Sequence, residues 1–217
     1  MTRENLDRML QSLQDEILVL GSMVESVLVE SVAILKAQDE DRARSLIADD
    51  QHINEKRFAI EEQAVVLIAT QGPMARDVRA IAAILEIVTE LERIGDYGKG
   101  IGKITLMIGQ TPLIKPVIDL PVMATKAQAM LHQALDAFVR HDVALAQAIP
   151  PADDEVDDLY NQIYRELIAL IMSNPQNMDQ ATYLLWAAHN LERAADRVIN
   201  ICERVVYMVT GEMEEMS

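Results

Sequence analysis

The sequence predicts an all-α fold built as two tandem three-helix bundles. Three observations carry that prediction. Apolar or small residues recur in alternating steps of four and three, as at Leu184, Ala188, Leu191, Ala195, Val198, Cys202, Val205 and Val209, which is the spacing of one helix face. β-branched runs with two-residue alternation are absent. And the pattern repeats. One hundred residues earlier Ile84, Val88, Leu91, Gly95, Gly98 and Gly102 take the stripe positions of Leu184 to Cys202, and Leu91-Glu92-Arg93 returns as Leu191-Glu192-Arg193. That is the mark of a tandem duplication.

Taken in order, the first helix runs from near Thr2 to about Gln38, with Leu6, Leu10, Leu13, Ile17, Leu20, Val24, Val27, Ser31 and Ile34 as a heptad stripe. Asp39 to Asp50 is acidic and helical in character, with Leu46 and Ile47 as anchors. A second long helix continues to about Thr70, placing Ile53, Ile60, Ala64 and Leu67 on one face. Gln71-Gly72-Pro73 stops it, because glycine accepts a left-handed cap and proline opens the next helix. The third helix spans about Met74 to Ile108. Pro112, Pro116 and Pro121 then interrupt the chain just past its midpoint. The second half repeats the order at an offset of 103 residues, with Leu131 answering Leu28, Phe138 answering Leu35 and Asp142 answering Asp39. Pro150-Pro151 adds a break, after which a helix runs to about Met172. Ser173-Asn174-Pro175 caps and starts the last helix. The predicted division is residues 1–110, a linker at 111–122, and residues 123–217.

Composition narrows the function. The 217 residues are half hydrophobic, and 35 acids against 19 bases give a net charge of −16. That excludes the basic stripe of a nucleic-acid surface and suits a soluble chain that binds cations or basic partners. The single cysteine, Cys202, lies on an apolar stripe as a core thiol, and no disulfide framework is open to it. The N-terminus has no apolar signal region, and no run of 18 uncharged apolar residues suggests a membrane span. No HExxH, P-loop or nucleophile elbow is present.

The acids themselves are patterned. Glu92 and Asp96, and Glu192 and Asp196, are i,i+4 pairs just beside the apolar stripe in the two copies. Like charges at that spacing repel by a few tenths of a kcal/mol, roughly, on an isolated helix, yet they aim two carboxylates at one place. Residues equidistant from the turn of an antiparallel helix pair sit at one height. That rule levels Asp153 and Asp157 with Glu192 and Asp196, and Asp50 and Asn54 with Glu92 and Asp96. Two oxygen-rich clusters result, one of four carboxylates and one of three with an amide, suited to Mg, Mn, Fe or Zn. The plainer alternatives are solvated acidic faces, first-turn acids favoured by the helix dipole at Asp153 and Asp154, and neutralisation by Arg93, Arg193 or Arg197. A di-iron enzyme of the ferritin-like class needs Glu-x-x-His pairs; the nearest match, Asp49-x-x-His52, is not repeated, and His132, His141 and His189 stand isolated. A carboxylate-bridged di-metal enzyme and a metal-free helical scaffold remain the competing functions.

The residues that carry these clusters resemble a known family. Leu91-Glu92-Arg93-Ile94-Gly95-Asp96-Tyr97 and Leu191-Glu192-Arg193-Ala194-Ala195-Asp196-Arg197 are similar to the paired third-helix motifs of PhoU proteins. Val205-Val206-Tyr207-Met208-Val209-Thr210-Gly211 is similar to the family's C-terminal signature, and Gly72-Pro73-Met74-Ala75-Arg76-Asp77-Val78-Arg79 to the turn before its third helix. The resemblance implies two three-helix bundles, usually dimeric, in the cytoplasm, with no established catalytic activity. It implies metal ions at the E(D)xxxD motifs, here Glu92 and Asp96, Glu192 and Asp196, and Asp153 and Asp157, with iron or zinc foremost, manganese or magnesium as alternatives, and multinuclear clusters in some members. It implies negative control of phosphate uptake and of the phosphate-starvation response, through the ATPase subunit of a phosphate ABC transporter and a membrane sensor histidine kinase. Two departures stand out. Asn54 replaces the acid that would complete the fourth pair, so the first site is expected to be weaker or to hold fewer ions. Gly98, Gly100 and Gly102 crowd the third helix, each costing about 0.5–1 kcal/mol relative to Ala, which close packing against the first helix or a partner would explain, drift being the plainer alternative.

Overall fold

The heptad stripe at the start of the chain becomes one unbroken helix, α1 (Arg3–Ala37), and the second stripe becomes α2 (Glu40–Gln71). The protein is seen in a computed structural model that describes residues 3–216. The remaining helices are α3 (Ala75–Ile108), α4 (Asp119–Arg140), the short α5 (Val143–Ala148), α6 (Asp153–Ser173) and α7 (Met178–Thr210), and there is no strand among the described residues. Asp39 to Asp50 forms the first turns of α2 rather than a separate piece.

The duplication is visible in the turns. Gln38 and His141 occupy equivalent places, and both take left-handed backbone conformations, φ 52° and 53°. The residue after each is an N-cap: Asp39 accepts from the amide of Arg42, and Asp142 accepts from that of Leu145. Side-chain capping offsets orphan amides at the start of each new helix. Gly72 closes α2 and Gly211 closes α7 in the left-handed region, as the glycine-stop pattern requires.

One boundary differs from the sequence expectation. Pro121 lies inside the first turn of α4, which begins at Asp119. Amides of the first turn have no intrahelical partner, so a proline there removes nothing. In the second half the break expected at Pro150-Pro151 is present, and what is a continuous α2 in the first half becomes α5, a 3₁₀ turn at Pro150–Ala152, and α6.

Most stripe residues are buried, with Leu10 and Val27 of α1 only partly so. Leu13, Ile17, Leu20, Val24 and Leu28 of α1 meet Ile53, Ile60 and Leu67 of α2, and Ile84, Val88 and Leu91 of α3, in one core that continues into the second bundle through Leu131, Phe138, Leu191, Val198 and Cys202. Burial pushes the Cys202 thiol up to about 12, so it behaves as a core hydrophobe. Val209, at the end of the α7 stripe, is exposed. α1 is also the one helix among the described residues that is long and apolar enough to cross a membrane; its apolar stripe is the inner face of the first bundle.

α3 and α7 pack on each other more extensively than any other helix pair. Their polar contacts run in opposite directions along the two chains. Glu86 meets Arg204 at 2.9 Å, Glu90 accepts from Asn200 at 3.2 Å, and Gly100 faces Asn190. The helices are therefore antiparallel, and the pairs 90–200 and 100–190 exchange under the duplication, as an approximate twofold demands.

The glycines of α3 divide by what they face. A Cβ at Gly98 would lie 2.5 Å from Val27 Cγ1 and 3.3 Å from the Val27 carbonyl oxygen on α1. A Cβ at Gly100 would meet only the mobile end of Asn190. Gly98→Ala is therefore expected to destabilise by about 1–3 kcal/mol through overpacking, while Gly100→Ala is neutral or stabilising through helix propensity. Thermal unfolding of the two variants checks this; equal effects would remove close packing as the reason for Gly98.

Candidate metal centre

In the second bundle, α6 supplies Asp153 and Asp157, and α7 supplies Glu192 and Asp196. The sequence sets them there because Pro150-Pro151 ends the preceding segment and starts α6 at Asp153, and because the α7 stripe places Glu192 and Asp196 beside the buried Leu191 and Ala195. The four carboxylates converge electrostatically. The Asp153 carboxyl is pushed up to about 7, by burial first and then by the charges of Asp157, Asp196 and Glu192. Asp157 is raised by burial and by Asp196, and Glu192 by burial and by Asp196. These are the shifts expected when like charges share a partly desolvated place.

The polar accounting is incomplete there. Asp153 is only 9% exposed, and its Oδ1 has no hydrogen-bond partner. Glu192 Oε2 lies 3.0 Å from His189 Nδ1, yet without hydrogen-bond geometry it too is unpartnered. Buried polar atoms without partners are rare and call for an explanation, an ion among them. Asp153, Asp157 and Asp196 line an open cleft of about 530 Å³, bordered by Arg193 and Ile199. No three His, Cys, Asp or Glu side chains among the described residues are closed into a ready metal cage. The donor set nevertheless fits a hard or borderline cation: oxygen atoms from two helices, an unpaired buried carboxylate oxygen, and no ammonium or guanidinium bonded to any of the four among the described residues.

The first bundle is built differently. Asp50 of α2 is buried and faces Asp96 of α3, but Lys99 bridges them. Its Nζ donates to Asp50 Oδ2 at 2.7 Å and to Asp96 Oδ1 at 3.0 Å. Asn54 donates to Asp50 Oδ2 at 3.0 Å. Arg57 Nη1 lies 3.4 Å from Glu92 Oε1, while its Nε donates to Glu61 at 2.8 Å. Glu92 is still raised, by burial and then by Asp96. Lys99 is held in its charged form above the ordinary lysine range, chiefly by the hydrogen bond to Asp50.

The structure thus brings Asp153, Asp157, Glu192 and Asp196 within electrostatic reach of one another, and sets Asp50, Asn54, Glu92 and Asp96 around Lys99 and Arg57. The suspected neutralisers do not pair with these acids. Arg93 pairs with Glu90, Arg197 with Glu90 and the Tyr97 hydroxyl, and Arg193 Nε has no partner. Three other residues stand against the acids: Lys99, Arg57 and His189. Lys99 is three residues after Asp96, and His189 is three before Glu192. Both spacings place side chains together on a helix and were readable. Arg57 is visible only once α2 and α3 are docked.

With this geometry in view, the comparisons with known proteins are specific. The PhoU domain matches twice, at residues 17–105 and 120–205. The chain is 33% identical over 218 residues to the phosphate-specific transport system accessory protein PhoU homolog of Clostridium acetobutylicum, spanning 100% of both chains. It is 33% identical over 203 residues to the phosphate-specific transport system accessory protein PhoU of Escherichia coli, covering 94% of this chain and 84% of that one. The crystal structure of the phosphate transport system regulatory protein PhoU from Streptococcus pneumoniae aligns with a TM-score of 0.89 at 32% identity, covering 96% of this chain and 99% of that one. The chain belongs to the PhoU family.

Proposed function

We propose that this protein is a non-catalytic regulator of a phosphate-specific transport system. It restrains phosphate uptake and the phosphate-starvation response by coupling the transporter's ATPase subunit to a sensor histidine kinase, as a cytoplasmic homodimer, with metal ions bound at its acidic pairs. The observation that carries the regulatory reading is full-length similarity to the accessory protein of that system, at 33% identity over the whole of both chains. The metal reading is carried by the unpartnered, buried Asp153 oxygen among three further carboxylates. Asp153, Asp157, Glu192 and Asp196 would hold the ion, iron or zinc in the first place. When bound, it would supply the positive charge that these groups lack. The carboxylate-bridged enzyme remains the weaker alternative, since His189 stands beside Glu192 in only one bundle.

Deleting the gene is expected to raise phosphate uptake in phosphate-rich medium and to keep a starvation-response reporter switched on, with full reversal by the wild-type chain. Unchanged uptake and reporter would contradict the regulatory role.

Glu192→Gln with Asp196→Asn is expected to cut bound metal, read by elemental analysis, and to leave helicity intact because both acids lie off the apolar stripe. Loss of helicity in the metal-free double variant would refute that placement.

The pH dependence has a definite sign. Asp153 titrates near 7 in the fold and at the ordinary aspartate value of about 3.9 in the unfolded chain. Between those values the folded chain holds a proton that the unfolded chain has released, so this group makes stability fall as pH rises. In chelator-stripped protein, Asp153→Asn should therefore flatten the fall in melting temperature between about pH 5 and pH 7.5. An unchanged slope would show that Asp153 does not carry this strain.

A further inference from the structure

The two carboxylate sets descend from one duplicated unit, yet among the described residues only the first has an ammonium or guanidinium paired with its acids. We propose that in the first bundle the Lys99 ammonium, with Arg57 beside it, is the permanent counter-ion of Asp50, Glu92 and Asp96 and stands in the place of a metal ion, so that this chain takes up metal through its second bundle alone. The second clause rests on the metal reading above; the role of Lys99 does not.

The argument is a comparison of paired positions. Lys99 Nζ is within 3.0 Å of carboxylate oxygens from both α2 and α3. A cation bridging those two helices would have to lie where the ammonium lies. To enter, a metal would have to eject a group making two charge-assisted hydrogen bonds, which are among the stronger ones in proteins. In the second copy Ile199 stands at the place of Lys99, Tyr160 at that of Arg57, and Asp157 at that of Asn54. Each of these three removes a positive charge or a donor, or adds a negative charge. Two paired positions act the other way, Arg197 at the place of Tyr97 and His189 at that of Thr89, but Arg197 is engaged by Glu90 and the Tyr97 hydroxyl rather than by the four acids. Ile199 lines the same cleft as Asp153, Asp157 and Asp196, so the position that delivers an ammonium in one bundle delivers a hydrocarbon in the other. The consequence is local. Asp50 has Lys99 and Asn54 as partners, whereas its counterpart Asp153 keeps an unpartnered, buried oxygen.

The test uses the full chain stripped with chelator, Zn²⁺ as the probe, calorimetric titration for uptake and circular dichroism for melting. Glu92→Gln/Asp96→Asn should take up as much zinc as wild type. Lys99→Ile should gain a further zinc equivalent, melt lower than wild type without metal, and recover when zinc is added. Ile199→Lys should lose the uptake of the second bundle. Zinc lost in Glu92→Gln/Asp96→Asn would overturn the proposal, as would a Lys99→Ile protein that gains none. Should Lys99→Ile not fold without metal, Lys99→Gln keeps a polar side chain at the same place and decides by the same gain or its absence. A wild type that takes up no zinc would remove the metal reading of the second bundle, while the gain in the Lys99 variants would still decide the role of Lys99.

Discussion

The antiparallel seam between α3 and α7 is the constraint on which the rest of the molecule depends. Each of these helices serves two masters. One face, marked by Ile84, Val88 and Leu91 or by Leu184, Ala188 and Leu191, fills the core of its own bundle. A second face meets the other bundle through Glu86, Glu90 and Tyr97 on α3 and Arg197, Asn200 and Arg204 on α7. Only the remaining edge, toward α2 or α6, is free to carry charge without entering either contact. Glu92, Asp96, Glu192 and Asp196 all lie on that edge. The acidic pairs are thus where the packing leaves room for them, and their partners on α2 and α6 are set by the lengths of the helical hairpins.

Charge at the rim of a core has to be answered. In the first bundle the answer is internal: Lys99 ties Asp50 to Asp96, and Arg57 approaches Glu92. In the second there is no such tie, and the cost appears as raised carboxyl pKa values and unpartnered oxygens. Net hydrogen bonds to charged groups contribute about 1.5–3 kcal/mol each, and leaving a buried charged group unpaired costs at least as much. A cluster of four acids is thus retained against stability unless an outside cation completes it. This difference between copies makes the second bundle the candidate for ligand-dependent behaviour and the first a scaffold of fixed charge.

Much of this was legible in the sequence. The stripes of Leu13 to Leu28 and of Leu184 to Val205 gave the helices and their buried faces, because helical periodicity is a local property. The duplication and the equal-distance rule gave the height of both acidic groups, because an antiparallel hairpin has a fixed rise per residue. What stayed hidden depends on docking. Glu86, Glu90, Arg197 and Arg204 pair across the seam, and nothing in one helix states that another will cover it. Arg57 was silent for the same reason, and Pro121 read as a breaker because its effect turns on whether it falls in a first turn. Lys99 is legible in the sequence: its spacing from Asp96 is that of a helical ion pair, and Ile199 takes its place in the second half.

The measurement that tests the central claim most directly is anomalous diffraction at the zinc edge from crystals grown with the metal. A peak among Asp153, Asp157, Glu192 and Asp196, with none between Asp50 and Asp96, is the result this account predicts. No peak at the second group, or a peak of equal height at the first, would contradict it.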